Sequence, residues 1–326
     1  MNLQSEVEKI PKKNIRLIQK LLMEWAQEYQ TPFPWQDNLN PYYALVAGVC
    51  AQQTQMSRIL EIFDRWIVAF PTIAKAANAS RAEVLTVWGN AGYPRRAVNL
   101  HKTLQICIND HAGIIPCDEE SLIQLPGVGP FTTAIIQIFG YGMDKTAIDT
   151  NITRIYGRLF CGDLQPINES DPKLIQAIAT QLLPTKKAHI WNPTLMDFGA
   201  TICTAKPKCN ICILKKICLA RPKLDSGVTL LPTKKSKTFK NSNRYWRGKI
   251  LKILREKNSG FENFNRENLI ESLSKDLDTQ VKLNKLIDDL AKEELIWLYK
   301  NYIGLGDHPI SNNKHSNISH NKYVDS

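Results

Sequence analysis

Leu17, Ile18, Leu21, Leu22 and Trp25 recur at the spacing of one helix face, which predicts a first amphipathic helix. The loop TPFPWQDNLNP follows. Beyond it the 3.6-residue pattern returns repeatedly, predicting helices near 42–50, 55–69, 80–90, 94–110, 118–124, 131–140, 150–160, 171–183 and 192–202. Period-two alternation is nearly absent before residue 290, and no internal repeat is visible, so the chain reads as all-α to about residue 222. Residues 223–243 are polar and proline-bearing, as in a linker. Trp246, Ile250, Ile253 and Leu254 then mark a helix, and 266–274 and 281–292 predict two more. The run LIWLYKNYIGLG predicts a short hairpin, so that three helices and a hairpin make a small winged-helix-like module over 244–308. Residues 309–326 are polar and are expected to be disordered.

A chain of 326 residues can bury a sizeable core in two or three domains. The opening MNLQSEVEKIPKKN has no apolar h-region, and no window approaches a membrane span. The expectation is a soluble intracellular protein with no membrane partner.

Charge changes this picture. Between Cys203 and Lys257 lie sixteen Lys or Arg against Asp225 and Glu256, a local +14 in a chain whose net charge is +11. Such a segment is either a solvated linker or the footprint of a polyanion, nucleic acid first.

Inside that segment, CTAKPKCNICILKKIC carries four of the eight cysteines in a C-x5-C-x2-C-x5-C spacing. In a reducing compartment such a cluster points to metal, and thiolates suit zinc and iron–sulfur clusters alike. Zinc ribbons usually use two separated CxxC pairs. The other cysteines, Cys50, Cys107, Cys117 and Cys161, stand among apolar residues and read as small buried hydrophobes.

Two further stretches carry chemistry. In LPGVGPFTTAIIQIF, Gly127 and Gly129 lie between two helical patterns, where a tight turn can bring backbone N–H groups against a phosphate. In AIDTNITRIYGRLF, Asp149 opens a helix as an N-cap. Hydrogen bonds to a capping carboxylate are expected to lower its pKa and keep it ionised, which suits a group that stabilises a cationic sugar.

The LPGVGxxT form resembles the helix-hairpin-helix of the endonuclease-III superfamily of DNA glycosylases. PFPWQDNLNPYYALVAGVCAQQTQ, VWGNAGYPRRAVNLHK and LMDFGATICT are similar to the adenine-DNA glycosylase (MutY-like) branch, over about residues 15–222. The resemblance implies a two-lobed fold: an N-terminal segment (1–35) packing with the cluster lobe, a six-helix barrel lobe with the hairpin (36–142), an iron–sulfur cluster lobe (143–222), and then the basic linker and the module. It implies catalysis by Asp149 with Asn151 as a second polar contact, and a [4Fe–4S] cluster on Cys203, Cys209, Cys212 and Cys218. The first gap of the cysteine motif is one residue shorter than in the family. DNA contacts are implied for Gln52, Gln53, Thr54, Gly127, Gly129, Lys206 and Lys208, and Tyr93 corresponds to a wedge aromatic, although its position would also suit a half-buried surface ring. Phe131 stands where lyase-competent relatives carry lysine, so a monofunctional enzyme is implied.

One departure bears on the substrate. The family's acid that protonates adenine falls, counted from Pro41, on Gly48. Adenine leaves poorly unprotonated, whereas a pyrimidine leaves more easily. The expected function is excision of a mispaired base from double-stranded DNA by a cytoplasmic, nucleoid-associated monomer, adenine opposite guanine or 8-oxoguanine first. A uracil or thymine mismatch glycosylase and a non-catalytic DNA-lesion binder are the alternatives.

Overall fold

The computed structural model describes residues 10–29, 33–36, 39–54, 56–227, 238–257 and 264–308. Residues 228–237 of the expected linker and the whole 309–326 tail lie outside the described residues. No helix among the described residues is long and apolar enough to cross a membrane. The chain divides into two compact units: 1–53 with 115–234, and 54–114 with 235–326.

In the first unit, α1 (Lys12–Tyr29) turns Ile18, Leu22 and Trp25 onto α9 (Thr150–Tyr156), α11 (Pro172–Leu182) and α12 (Ala188–Thr201). Trp25 meets Phe198 of α12 edge-on at 5.3 Å, a geometry that adds ~0.5–1.5 kcal/mol beyond area burial. A second part of this unit packs α2 (Pro41–Ala51) on α8 (Pro130–Ile135) and the π-helical turn Ile136–Gly140 that continues it. Helix α2 starts where it does because Asn40 accepts from the Tyr42 and Tyr43 N–H groups and Pro41 needs no partner there. Just ahead of α8 in the chain lies α7 (Glu119–Gln124), capped by Asp118 and packed on α8.

In the second unit, α3 (Met56–Ala69), α4 (Ile73–Ala77), α5 (Arg81–Trp88) and α6 (Arg95–Asp110) share a core with Trp66 edge-on to Trp88. A Ser80–Glu83 capping box starts α5. The C-terminal residues join the same unit. They run α14 (Asn243–Lys257), β1 (Phe264–Asn265), α15 (Arg266–Leu273), α16 (Leu277–Lys292), β2 (Ile296–Tyr299) and β3 (Tyr302–Leu305). The sheet order is β1-β3-β2, all antiparallel, with Phe264 opposite Ile303 and Leu298 opposite Ile303 on the other side. Arg81 of α5 pairs with Asp307 at 2.8 Å, and Lys102 of α6 pairs with Glu294.

The expected helices are present, and the described residues to 222 hold no strand, as expected; the small sheet, all of it beyond residue 263, makes the whole chain mostly helical rather than all-α. The hairpin was foreseen, but β1 was not, because two residues carry no readable period. Helix α12 begins at Ala188 rather than 192, so Pro193 lies inside it. Asn192, at the expected start, uses its side chain across the fold, accepting from Ala147 N and donating to Lys145 O. Short helices α4 (Ile73–Ala77), α10 (Pro166–Glu169) and α13 (Arg221–Asp225) were also missed. Cys50 and Cys107 are buried as expected, whereas Cys117 is exposed and Cys161 half-buried.

Candidate active site

Asp149 caps α9, and the α1–α9–α11–α12 core fixes that helix. Its Oδ1 accepts from Asn151 N at 2.9 Å and Ile152 N at 2.8 Å, while Oδ2 accepts from Asn151 Nδ2 at 2.8 Å. Asn151 is held in turn: Arg154 Nη2 donates to its Oδ1 at 2.6 Å, which fixes which end of the amide faces the carboxylate. Arg154 also donates to Gly199 O at 2.7 Å and to Cys203 O at 2.6 Å. Gly199 is required because a Cβ there would lie 2.5 Å from the Asn151 Cβ. One network thus runs from the capping carboxylate to the first cysteine of the basic loop.

The expected sign of the Asp149 pKa is corrected. Burial raises it above the ordinary aspartate value, against lowering by the hydrogen bonds from Ile152 and Asn151 and the charge of Arg154. The cap was legible in the sequence, but the depth of protein around it was not.

The hairpin between α7 and α8 turns at Gly127, whose φ of 77° suits glycine, and Gly129 caps α8. Gln52, at the end of α2, donates to Gly127 O at 2.9 Å and to Thr132 Oγ1 at 3.0 Å. This brings Gln52 together with the hairpin, and Thr132 is a site neighbour that the sequence reading missed. Gln53 is exposed with φ 53°. Thr54 and Tyr93 belong to the other unit, where Arg96 donates to Thr54 Oγ1 at 2.9 Å and Tyr93 is exposed. Gly48 is buried in α2, and a Cβ there would meet Thr132 Cγ2 at 3.1 Å and Ile135 Cγ2 at 3.3 Å. Phe131 is half-buried in the first turn of α8.

Cys203, Cys209, Cys212 and Cys218 line one recess, partly open to solvent, with Arg158, Lys208, Lys215 and Arg221 in its wall. Arg158 is buried, donates to Thr204 O and Ala205 O, and lies 3.6 Å from Cys203 Sγ. Burial pushes the Cys212 thiol up to about 11. Lys206 and Lys208 are exposed.

A family model for HhH-GPD superfamily base excision DNA repair proteins matches residues 46–184. The chain is 34% identical over 241 residues to an adenine DNA glycosylase of Mycobacterium tuberculosis, covering 72% of this chain and 77% of the relative. The chain belongs to the HhH-GPD superfamily. It is a DNA N-glycosylase of base excision repair, with adenine DNA glycosylases among its relatives. It is also similar to a thymine/uracil-DNA glycosylase of Methanothermobacter thermautotrophicus, at 28% identity over 64% of this chain and 94% of that one. Among solved structures, a thermostable thymine-DNA glycosylase superposes with a TM-score of 0.59 at 26% identity, over 65% of this chain and 98% of its own.

Proposed function

We propose that the chain hydrolyses the N-glycosidic bond of a mispaired base in double-stranded DNA, adenine opposite guanine or 8-oxoguanine first, with Asp149 as the group that stabilises the oxocarbenium-like sugar. The observation that carries this is the Asp149–Asn151–Arg154 network, because it holds an acceptor-only carboxylate in a fixed direction against partial desolvation. The target base must leave the stack, since its glycosidic bond is otherwise shielded. Gln52 braces the hairpin at Gly127 and Gly129, whose backbone would hold the phosphate backbone without reading bases. Phe131 has no amine, so the reaction stops at hydrolysis.

A second reading is favoured by one observation. Position 48 is glycine, so no acid stands there to protonate a purine, and a Cβ would press on Thr132 Cγ2 at 3.1 Å and Ile135 Cγ2 at 3.3 Å. A uracil or thymine would leave without that proton. Single-turnover cleavage of duplexes carrying A:8-oxoG, A:G, U:G and T:G decides between the two, and tight binding without cleavage of any would favour a lesion binder.

Cys203, Cys209, Cys212 and Cys218 would hold a [4Fe–4S] cluster, which supplies a rigid anionic brace for the loop when bound. The donor set fits. Thiolates suit zinc and iron–sulfur clusters alike, and the single run C-x5-C-x2-C-x5-C differs from the two separated CxxC pairs usual in zinc ribbons. The four thiols share one recess walled by Arg158, Lys208, Lys215 and Arg221, and cations there suit an anionic group. Anaerobically purified protein is expected to contain about four iron and four sulfide per chain. Stoichiometric zinc without sulfide would sink the assignment.

Lys206, Lys208, Lys215 and Lys216 are exposed on the cysteine loop and would contact phosphates. Replacing all four by alanine is expected to flatten the salt dependence of duplex binding by up to ~3–4 units of log–log slope, at ~0.9 for each phosphate that is no longer neutralised. An unchanged slope would move the footprint elsewhere. The order α14-β1-α15-α16-β2-β3 supports a winged-helix-like reading of the C-terminal module.

A further inference from the structure

The stretch GNAGYPRR (89–96) places three residues with positive φ within five positions: Gly89, Gly92 and Tyr93. For the two glycines this is ordinary. At Tyr93 a φ of 45° is strained backbone, sustained only because the surroundings over-determine it. Trp88 Nε1 donates to Gly92 O at 3.0 Å. Arg96, buried beside the Trp88 ring, donates to Ala91 O and Gly92 O. The result of this bracing is an aromatic ring left 43% exposed at the tip of a rigid turn.

That ring has a partner from the C-terminal residues of the same unit. The Arg244 guanidinium, exposed at the start of α14, lies over Tyr93 at 5.0 Å from the centroid. It lies 6.0 Å from the centroid of Phe239, itself 61% exposed. The far end of α14 is tied to the same turn, because Arg255 donates to Asn90 Oδ1 at 2.6 Å. Lys240 and Lys249 are exposed on the same segment, whereas Arg247 is engaged by Glu293. Two exposed aromatic rings, a flat guanidinium between them and flanking lysines match the chemistry of bases whose stacking has been broken beside a phosphate backbone. An exposed apolar patch for a protein partner would not need the cations.

We infer that Tyr93, Phe239 and Arg244 form one DNA-contacting platform, so that the C-terminal module supplies a direct grip on the disrupted part of the duplex rather than a remote tether. This rests on the DNA glycosylase reading. Arg244 is the residue to test, since its planar fork can stack on an aromatic ring while its N–H edge bonds a phosphate or a base.

The full-length protein would be titrated with two short duplexes, one intact and one carrying a single tetrahydrofuran abasic analogue, with 2-aminopurine opposite the analogue. Arg244→Ala and Phe239→Ala are each expected to weaken binding of the analogue duplex about tenfold and to change the 2-aminopurine fluorescence of the complex. Intact-duplex affinity should fall less than about threefold, since one phosphate-neutralising charge at most is removed. Arg244→Lys should recover only part of the loss, because an ammonium keeps the charge but cannot stack flat. Equal losses on both duplexes, full recovery by lysine, or unchanged DNA binding with only a lowered melting temperature would each overturn the platform. A wild type that does not prefer the analogue duplex would sink the glycosylase reading with it. A wild type that prefers it, with variants that match it, would sink this inference alone.

Discussion

Asp149→Asn is expected to lower single-turnover excision by ~10³-fold while duplex binding stays within about threefold. The geometry explains why the change is so selective. Asparagine is as good an N-cap as aspartate, so Asn151 N and Ile152 N keep their acceptor and α9 keeps its start. What disappears is the negative charge facing the sugar. The second acceptor oxygen goes too, and the new amide would point an N–H₂ group at Asn151 Nδ2, which Arg154 holds in place. The pH dependence carries a sign. Burial raises the Asp149 pKa above the ordinary value, so the neutral form is favoured in the folded state. Folding stability from this group is therefore present below the unfolded-state pKa and is lost as pH rises through the raised folded-state value. Relative to wild type, the asparagine variant should gain stability from acid to neutral pH. Wild-type activity should rise as Asp149 ionises, with its acid limb above that of an ordinary aspartate. A variant with wild-type rates, or an acid limb at or below the ordinary value, would remove Asp149 from the chemistry.

Gly48→Glu, combined with Thr132→Ser, is expected to raise adenine excision by ~10²-fold or more, since general acid catalysis is worth ~10²–10⁴-fold. The second substitution follows from the packing. The atom nearest to a new Cβ is the Thr132 methyl carbon, at 3.1 Å, and serine removes it while keeping the hydroxyl that accepts from Gln52. Gly48→Glu alone should gain less and melt lower, because forcing a large side chain into a packed site costs ~1–3 kcal/mol. Fast adenine excision by wild type would mean that another residue supplies the proton. Efficient U:G or T:G cleavage, insensitive to both substitutions but abolished by Asp149→Asn, would establish the pyrimidine reading. A thermal melt beside the kinetics separates misfolding from a catalytic result.

The helices were legible because their signals are contiguous. Apolar spacing at Ile18, Leu22 and Trp25 needs only its own eighteen-residue helix, and the cap at Asp149 acts within three residues of itself. The glycine hairpin and the cysteine spacing were readable for the same reason. Boundaries were less legible. The helix expected from 192 begins a turn earlier, at Ala188, and Asn192 inside it serves Ala147 and Lys145 with its side chain.

By itself, then, the sequence determined the helical class, the capping carboxylate, the hairpin and the four clustered thiols, all products of short-range geometry and side-chain chemistry. The tertiary structure alone decided the sign of the Asp149 pKa, since desolvation sums over every residue packed around the carboxylate. It decided that Arg154 joins Asn151 to Cys203, and that a Cβ at Gly48 would press on Thr132 and Ile135. It also placed 235–326 with 54–114 in one unit, setting Arg244 on Tyr93. Each of these joins residues tens to more than a hundred positions apart, and no local period or propensity encodes which distant surfaces will exclude water together.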